Sequence, residues 1–198
     1  MRLIAITSPE IIDEDARIIA ELLDRGVEII HLRKPEADIC ECRKLLQTLT
    51  PEQRKNIVIH DFPDLYYEFS LKGIHVNKNI KSLPDDYTGL KTRSCHSINE
   101  IIKYKKEYDY MFLSPVFDSI SKVGYKSGFT EEELQKASED GIIDEKVIAL
   151  GGVTFEKIPY LESMKFGGVA MLGGIYNLKV LDELRDVNLS TFYGKRLM

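Results

Sequence analysis

Hydrophobic residues in this chain come in short runs, separated by longer stretches in which they recur every three or four positions. The runs are Leu3-Ile4-Ala5-Ile6, Val27 to Leu32, Asn56 to Ile59, Gly73 to Val76, Leu90 to Cys95, Tyr110 to Leu113, Val147 to Leu150 and Val169 to Leu172. Each has the length of a buried strand. Between them the spacing predicts helices. One carries Ala16, Ile19, Ala20 and Leu23 on a single face; others cover 38–48, 63–71 and 98–104, a further one starts after Thr130, and the last two cover 154–165 and 178–184. Gly26 stands where a glycine commonly ends a helix. Ser97 with Glu100 and Thr130 with Glu133 have the spacing of capping boxes. Eight apolar runs alternating with helices predict a parallel sheet covered by helices, and the count favours a closed (β/α)₈ TIM barrel over an open sheet. At 198 residues the chain is short for that fold, which typically takes ~250, so its loops are trimmed. A single domain spanning 1–198 is expected.

Composition narrows the partners. Hydrophobic residues make up 43% of the chain, enough for a substantial core, and the net charge is −5. That balance argues against nucleic acid or an anionic membrane as a partner. No apolar run has membrane-spanning length, and the opening residues lack the apolar stretch of a secretion signal. Cys40, Cys42 and Cys95 are odd in number and form no Cys-x-x-Cys pair, as expected of reduced thiols in a cytoplasmic protein. A homo-oligomer is compatible with all of this.

The candidate chemistry lies at the strand ends, where barrels of this kind carry their active sites. Gly151-Gly152 and Gly173-Gly174 follow the last two runs, and bare backbone there offers N–H groups to a phosphate. Arg33 and Lys34 supply positive charge for a carboxylate or phosphate; their plainer reading is a solvated basic pair. All four histidines, His31, His60, His75 and His96, fall at or beside predicted strand ends and are expected to converge on one rim. Thr7, Ser94 and Ser114 join them. Asp61 is a candidate magnesium ligand without a second acid after the fourth strand, where Asn77 stands instead. The connection from Asp118 to Gly128 is long and polar, with the features of a lid.

These strand ends, in order and spacing, resemble the thiamine phosphate synthase family, including its TenI-like branch of thiazole tautomerases. The resemblance rests on His31-Leu32-Arg33, Ile59-His60-Asp61, Gly73-Ile74-His75-Val76, Ser94-Cys95-His96-Ser97, Ser114-Pro115-Val116-Phe117 and Ala149-Leu150-Gly151-Gly152-Val153. It implies a small phosphorylated thiazole as substrate, with its phosphate on the two glycine pairs. It also implies a pyrophosphate contact at Arg33, a pyrimidine neighbour at Ser94, and an anion loop made of Ser119, Ser121 and Lys122. In the synthase branch Asp61 would bind Mg²⁺. The departures fall on that branch: His31 replaces a Gln, His60 an Asn, Pro35 a basic residue, Gly173 a Ser, and Ile80 stands where a second metal-binding acid is expected. The tautomerase branch uses a histidine and no metal or other cofactor, and His96 falls at that histidine's position. An imidazole can accept and return a proton near neutrality, which suits a tautomerisation. The expectation is therefore a thiazole tautomerase with His96 and Ser94 at its centre. A magnesium-dependent synthase is the alternative, and a non-catalytic sensor of thiazole or thiamine phosphates a third reading.

Overall fold

The computed structural model describes residues 1–80, 82–118, 128–176 and 189. Ser119, Ser121 and Lys122, most of the expected lid and the helix expected over 178–184 lie outside the described residues. Within them eight strands form a closed parallel barrel in sequence order: β1 Arg2–Ile6, β2 Ile29–Leu32, β3 Ile57–Ile59, β4 Gly73–Val76, β5 Leu90–Cys95, β6 Tyr110–Leu113, β7 Val147–Leu150 and β8 Gly168–Met171. β8 closes onto β1 through the pairings Arg2 with Gly168 and Ala5 with Met171. The helices are α1 Asp15–Asp24, α2 Ile39–Thr48, the short α3 Pro51–Arg54, α4 Asp64–Phe69, α5 Ile98–Tyr104, α6 Glu131–Glu139 and α7 Ile158–Ser163, the last preceded by a 3₁₀ turn, Phe155–Lys157. No described helix is long and apolar enough to cross a membrane.

Strand alternation sorts the side chains into two cores. Leu3, Ala5, Ile30, Leu32, Ile57 and Ile59 point outward and pack with Ile18, Ile19, Leu22, Leu45, Leu46 and Leu161 from the helices. Ile4, Ile6, Ile29, Val58, Tyr110, Phe112, Ile148 and Ala170 fill the barrel itself. Helix α1 buries Asp15, Ile18, Ile19 and Leu22, so its inner stripe is turned from the expected Ala16, Ile19, Ala20, Leu23 face. The reason is Asp15, a charged residue that the apolar pattern assigns to solvent and the fold assigns to the interior.

Caps mark the helix starts. Thr130 and Glu133 form the expected reciprocal box, and so do Asp38 with Glu41 and Thr50 with Gln53. Thr50 thereby starts a new turn at Pro51, where the register of α2 ends. At α5 only half the box forms. Ser97 accepts from the Glu100 N–H, but the Glu100 carboxylate takes the His96 N–H instead, at 2.6 Å. That shift fixes the backbone of His96.

Cys40, Cys42 and Cys95 are free thiols. Burial pushes both the Cys42 and the Cys95 thiol up to about 11, which leaves little reactive thiolate at neutral pH.

Candidate active site at the carboxyl end of the barrel

Three of the four histidines do not stand on the rim. They lie inside the barrel, because positions 31, 60 and 75 share the inward parity of their strands. His31 is fully buried, and His60 and His75 nearly so. His31 Nδ1 lies 2.8 Å from His60 Nε2, and His31 Nε2 lies 2.6 Å from the Tyr110 hydroxyl. His75 Nδ1 is 2.8 Å from Thr92 Oγ1, and its Nε2 is 3.1 Å from Ser94 Oγ. The His60 and His75 rings stack at 4.1 Å, and Phe112 packs against His31 and His75. The β2–β5 side of the barrel is thus a hydrogen-bonded polar layer, and the β7–β8–β1 side is apolar. Strands apolar throughout were the expectation; β2, β4 and β5 depart from it on their inward faces. Tyr110 and Thr92 belong to this layer and were not singled out from the sequence. Their signal is the period-two series Tyr110, Phe112, Ser114 and Leu90, Thr92, Ser94, which reads inward once one member is known to be inside.

All three buried imidazoles are held neutral. Burial lowers His31 and His60 well below the usual range, with further lowering from the neighbouring histidines and, for His60, from Arg33. Burial, then Arg93 and Arg33, lowers His75 to about 3. The sign of the consequence follows by linkage. Below about 6.5 the unfolded chain binds protons at these positions that the native state refuses. The stability associated with the neutral rings is complete above that pH and is lost as pH falls from 6.5 toward 3. His75 alone should cost about 2 kcal/mol by pH 5, and His31 and His60 act in the same direction. Urea unfolding in chelator-containing buffer at pH 7.5 and pH 5 should show this loss. Equal free energies at the two pH values would mean that the cluster protonates without leaving the barrel.

The two basic residues after β2 separate. Arg33 is exposed, and its charge reaches His60 and His75; its backbone N–H donates to Thr7 Oγ1 at 3.0 Å, tying β1 to β2. Lys34 does not face the solvent as an anion ligand. Its side chain is fully buried, with Nζ 2.7 Å from the Asp15 carboxylate, and it also donates to Glu10 O at 2.6 Å. Tyr176 donates to the same carboxylate at 2.5 Å. Lys34 is thereby committed to the fold.

His96 is the exposed histidine. Its Nδ1 lies 2.9 Å from the Ser114 carbonyl oxygen. A carbonyl only accepts, so Nδ1 carries the proton, and in the neutral ring Nε2 keeps its lone pair. The imidazole is anchored at both its backbone and its inner nitrogen, with the outer nitrogen left to act. Ser94, two residues earlier and also inward, is bonded to His75.

The glycine pairs differ. Gly151 and Gly152 have φ of 93° and 61°, in the region that favours glycine. A Cβ on Gly151 would come within 2.7 Å of Pro115 Cβ, and one on Gly152 would collide with the Asp118 carbonyl. The peptide before Pro115 is cis, and the turn it begins docks through Val116 N–H to Leu150 O and Phe117 N–H to Gly151 O. Close approach of the chain to itself therefore accounts for the first pair. Among the described residues, a Cβ on Gly173 would meet nothing within 4 Å, and one on Gly174 only Val153 O at 3.8 Å, in contrast to the first pair.

A magnesium site of two carboxylates does not fit these residues. Asp61 is partly exposed and its charge acts on the Cys42 thiol. The cluster of metal-ligating side chains among the described residues is His31, His60 and His75, without Asp61. Ile80, at the position of the expected second acid, is buried. Asn77 uses its side chain to hold the backbone, through His60 O and the Asn79 N–H.

Comparison with known proteins agrees with this architecture. A family model described as "Thiamine monophosphate synthase" matches residues 3–175. The crystal structure of a thiamine phosphate pyrophosphorylase from Bacteroides thetaiotaomicron is 38% identical, covers 89% of this chain and 85% of its own, and superposes with a TM-score of 0.81. A thiamine-phosphate synthase of Photorhabdus laumondii is 26% identical over 170 residues, covering 81% of this chain and 78% of the relative. A thiamine phosphate pyrophosphorylase from Pyrococcus furiosus, 19% identical, covers 98% of this chain and 97% of its own with a TM-score of 0.72, and supports the fold alone. With its barrel, its strand-end residues and a match over nearly its whole length, the chain belongs to the thiamine monophosphate synthase family, a family of thiamine-biosynthesis enzymes.

Proposed function

We propose that this enzyme isomerises a phosphorylated thiazole carboxylate to its aromatic tautomer, with His96 as the acid and base. The observation that carries this reading is the Nδ1–H to Ser114 O hydrogen bond, 2.9 Å long, on an exposed ring. It leaves Nε2 as a positioned base at the mouth of the barrel. In the reaction Nε2 takes a proton from the saturated ring carbon of the substrate. The resulting imidazolium returns a proton at the other end of the conjugated system, so no atom is gained or lost. Aromaticity of the product drives the step. Arg33, exposed and without an ion-pair partner among the described residues, is the cation for the substrate carboxylate. The N–H groups at Gly173 and Gly174 are the proposed phosphate contacts, since no described residue crowds the Cβ positions beside them.

Gly173 provides the test of the phosphate contact, because a Cβ there meets no atom of the described residues within 4 Å. Gly152 does not, since any substitution there forces the backbone against Asp118. Hydrogen bonds to a charged group are worth about 1.5–3 kcal/mol. Gly173→Val should therefore weaken binding of a thiazole phosphate by about tenfold to a hundredfold with unchanged cooperative unfolding. Unaltered affinity in the folded variant would remove the contact.

Magnesium-dependent synthesis of thiamine phosphate is the second reading, favoured by the names of the relatives. Against it stand the buried Ile80 at the second acid position and the commitment of Lys34 to Asp15. Parallel assays of the purified protein decide between them. Thiazole aromatisation that persists in a chelator supports the tautomerase; thiamine phosphate formed only with magnesium supports the synthase. Binding without either turnover would make the chain a sensor.

A further inference from the structure

We propose that His31, His60 and His75 bind a borderline divalent transition metal, Zn²⁺ or a neighbour such as Co²⁺, inside the barrel. The inference is independent of which reaction the rim carries out. One ligand nitrogen from each ring lies within 4.8 Å of those of the other two. Imidazole nitrogen is a preferred donor for zinc, cobalt, nickel and copper, and three histidines with one open position form a recurrent zinc arrangement. Magnesium, which demands oxygen ligands, is disfavoured.

The surroundings of His31 and His75 are those a metal-binding histidine uses. Such a ring normally gives its second nitrogen to a hydrogen-bond partner that sets its tautomer and orientation. His31 Nε2 has the Tyr110 hydroxyl at 2.6 Å, which leaves Nδ1 for the ion. His75 Nδ1 has Thr92 Oγ1 at 2.8 Å, which leaves Nε2. His60 faces the same point with its Nε2, 2.8 Å from His31 Nδ1. Zn–N bonds of about 2.0–2.1 Å put tetrahedral ligands roughly 3.3 Å apart. Binding thus replaces the His31–His60 hydrogen bond, spreads that pair by about half an ångström, and tilts His60 out of its stack on His75. Ser94 Oγ, 3.1 Å from His75 Nε2, stands beside the fourth position, where a water or hydroxide would complete the shell. Two of the three ligands, His31 and His60, occupy positions where the family resemblance leads one to expect Gln and Asn, so the site is a property of this sequence.

Cobalt is the probe, because a four-coordinate Co²⁺ site absorbs visible light through its d–d bands. The purified protein, stripped with chelator and titrated with CoCl₂, should develop these bands to an end point of one ion per chain, and zinc should bleach them. The bands should vanish in His75→Gln and persist in His96→Gln, which removes the exposed histidine. Tyr110→Phe keeps all three ligands and removes the His31 partner; it should weaken cobalt affinity by about 10–100-fold and guards against failure of the histidine variant to fold. Far-UV circular dichroism and cooperative unfolding report folding for each. Absence of d–d bands in the wild type would overturn the proposal, and so would bands that survive in folded His75→Gln, disappear in His96→Gln, or stay equally tight in Tyr110→Phe.

Discussion

His96→Asn should lower thiazole aromatisation by roughly 10²–10⁴-fold with little change in substrate affinity. Positioned acid–base catalysis contributes about that factor, and a group that acts in the transition state affects turnover more than binding. Asparagine keeps an N–H able to reach the Ser114 carbonyl, so the β5–α5 junction is retained while the lone pair at Nε2 is lost. The Glu100 carboxylate still receives the backbone N–H of residue 96, which confines the change to the side chain. Steady-state kinetics at saturating substrate checks it. Turnover within a few-fold of wild type would remove His96 from the chemistry, and the search would then move to Ser94 and His75. A loss expressed wholly in substrate affinity would make His96 a binding group.

Lys34→Met should destabilise the fold by about 3–5 kcal/mol, the cost of leaving one charge of a buried pair without its partner. Lys34 follows β2, Asp15 opens α1 and Tyr176 follows β8, so their contacts clasp the first helix across the closing seam of the barrel. Side-chain exposure is 0% for Lys34 and 1% for Asp15, so solvent screening does not discount the interaction as it would at a surface. Burial pulls the lysine ammonium below its usual range, and the hydrogen bond and charge of Asp15 oppose that pull. Urea unfolding gives the magnitude. Replacing both partners, Lys34→Met with Asp15→Leu, should recover a large part of the loss, because two apolar side chains leave no stranded charge. A single variant that loses under 1 kcal/mol would show the pair to be solvated, and Lys34 would again be available to an anion.

The elements themselves were legible from local pattern. The expected bounds of β4, β5, β6, β7 and α5 are those of the structure, and Thr130 and Glu133 form the box their spacing predicts. These features depend on backbone geometry and near neighbours, which a run of residues encodes directly. The count of eight strands carried the barrel, since parallel strands require crossovers and eight βα units in regular alternation are the pattern that closes into a barrel. The strand-end residues of the family were legible on the same ground. Their roles were less so. Arg33 and Lys34 are adjacent and equally basic, yet one is exposed and the other is buried on Asp15, a partner 19 positions earlier. His31, His60, His75 and His96 look alike as strand-end histidines, yet three are enclosed with Tyr110 and Phe112 and one is exposed. Gly151 and Gly152 suggested a ligand from their sequence; the structure adds that their bare backbone admits Pro115 and Asp118. The sequence by itself determined the strands, most helices and the family; the tertiary structure alone decided which parity of each strand faces the barrel axis. A two-residue period states only that alternate side chains part company. Which set is enclosed is settled when β8 meets β1 and the space left inside must be filled, and that closure joins residues more than 160 positions apart.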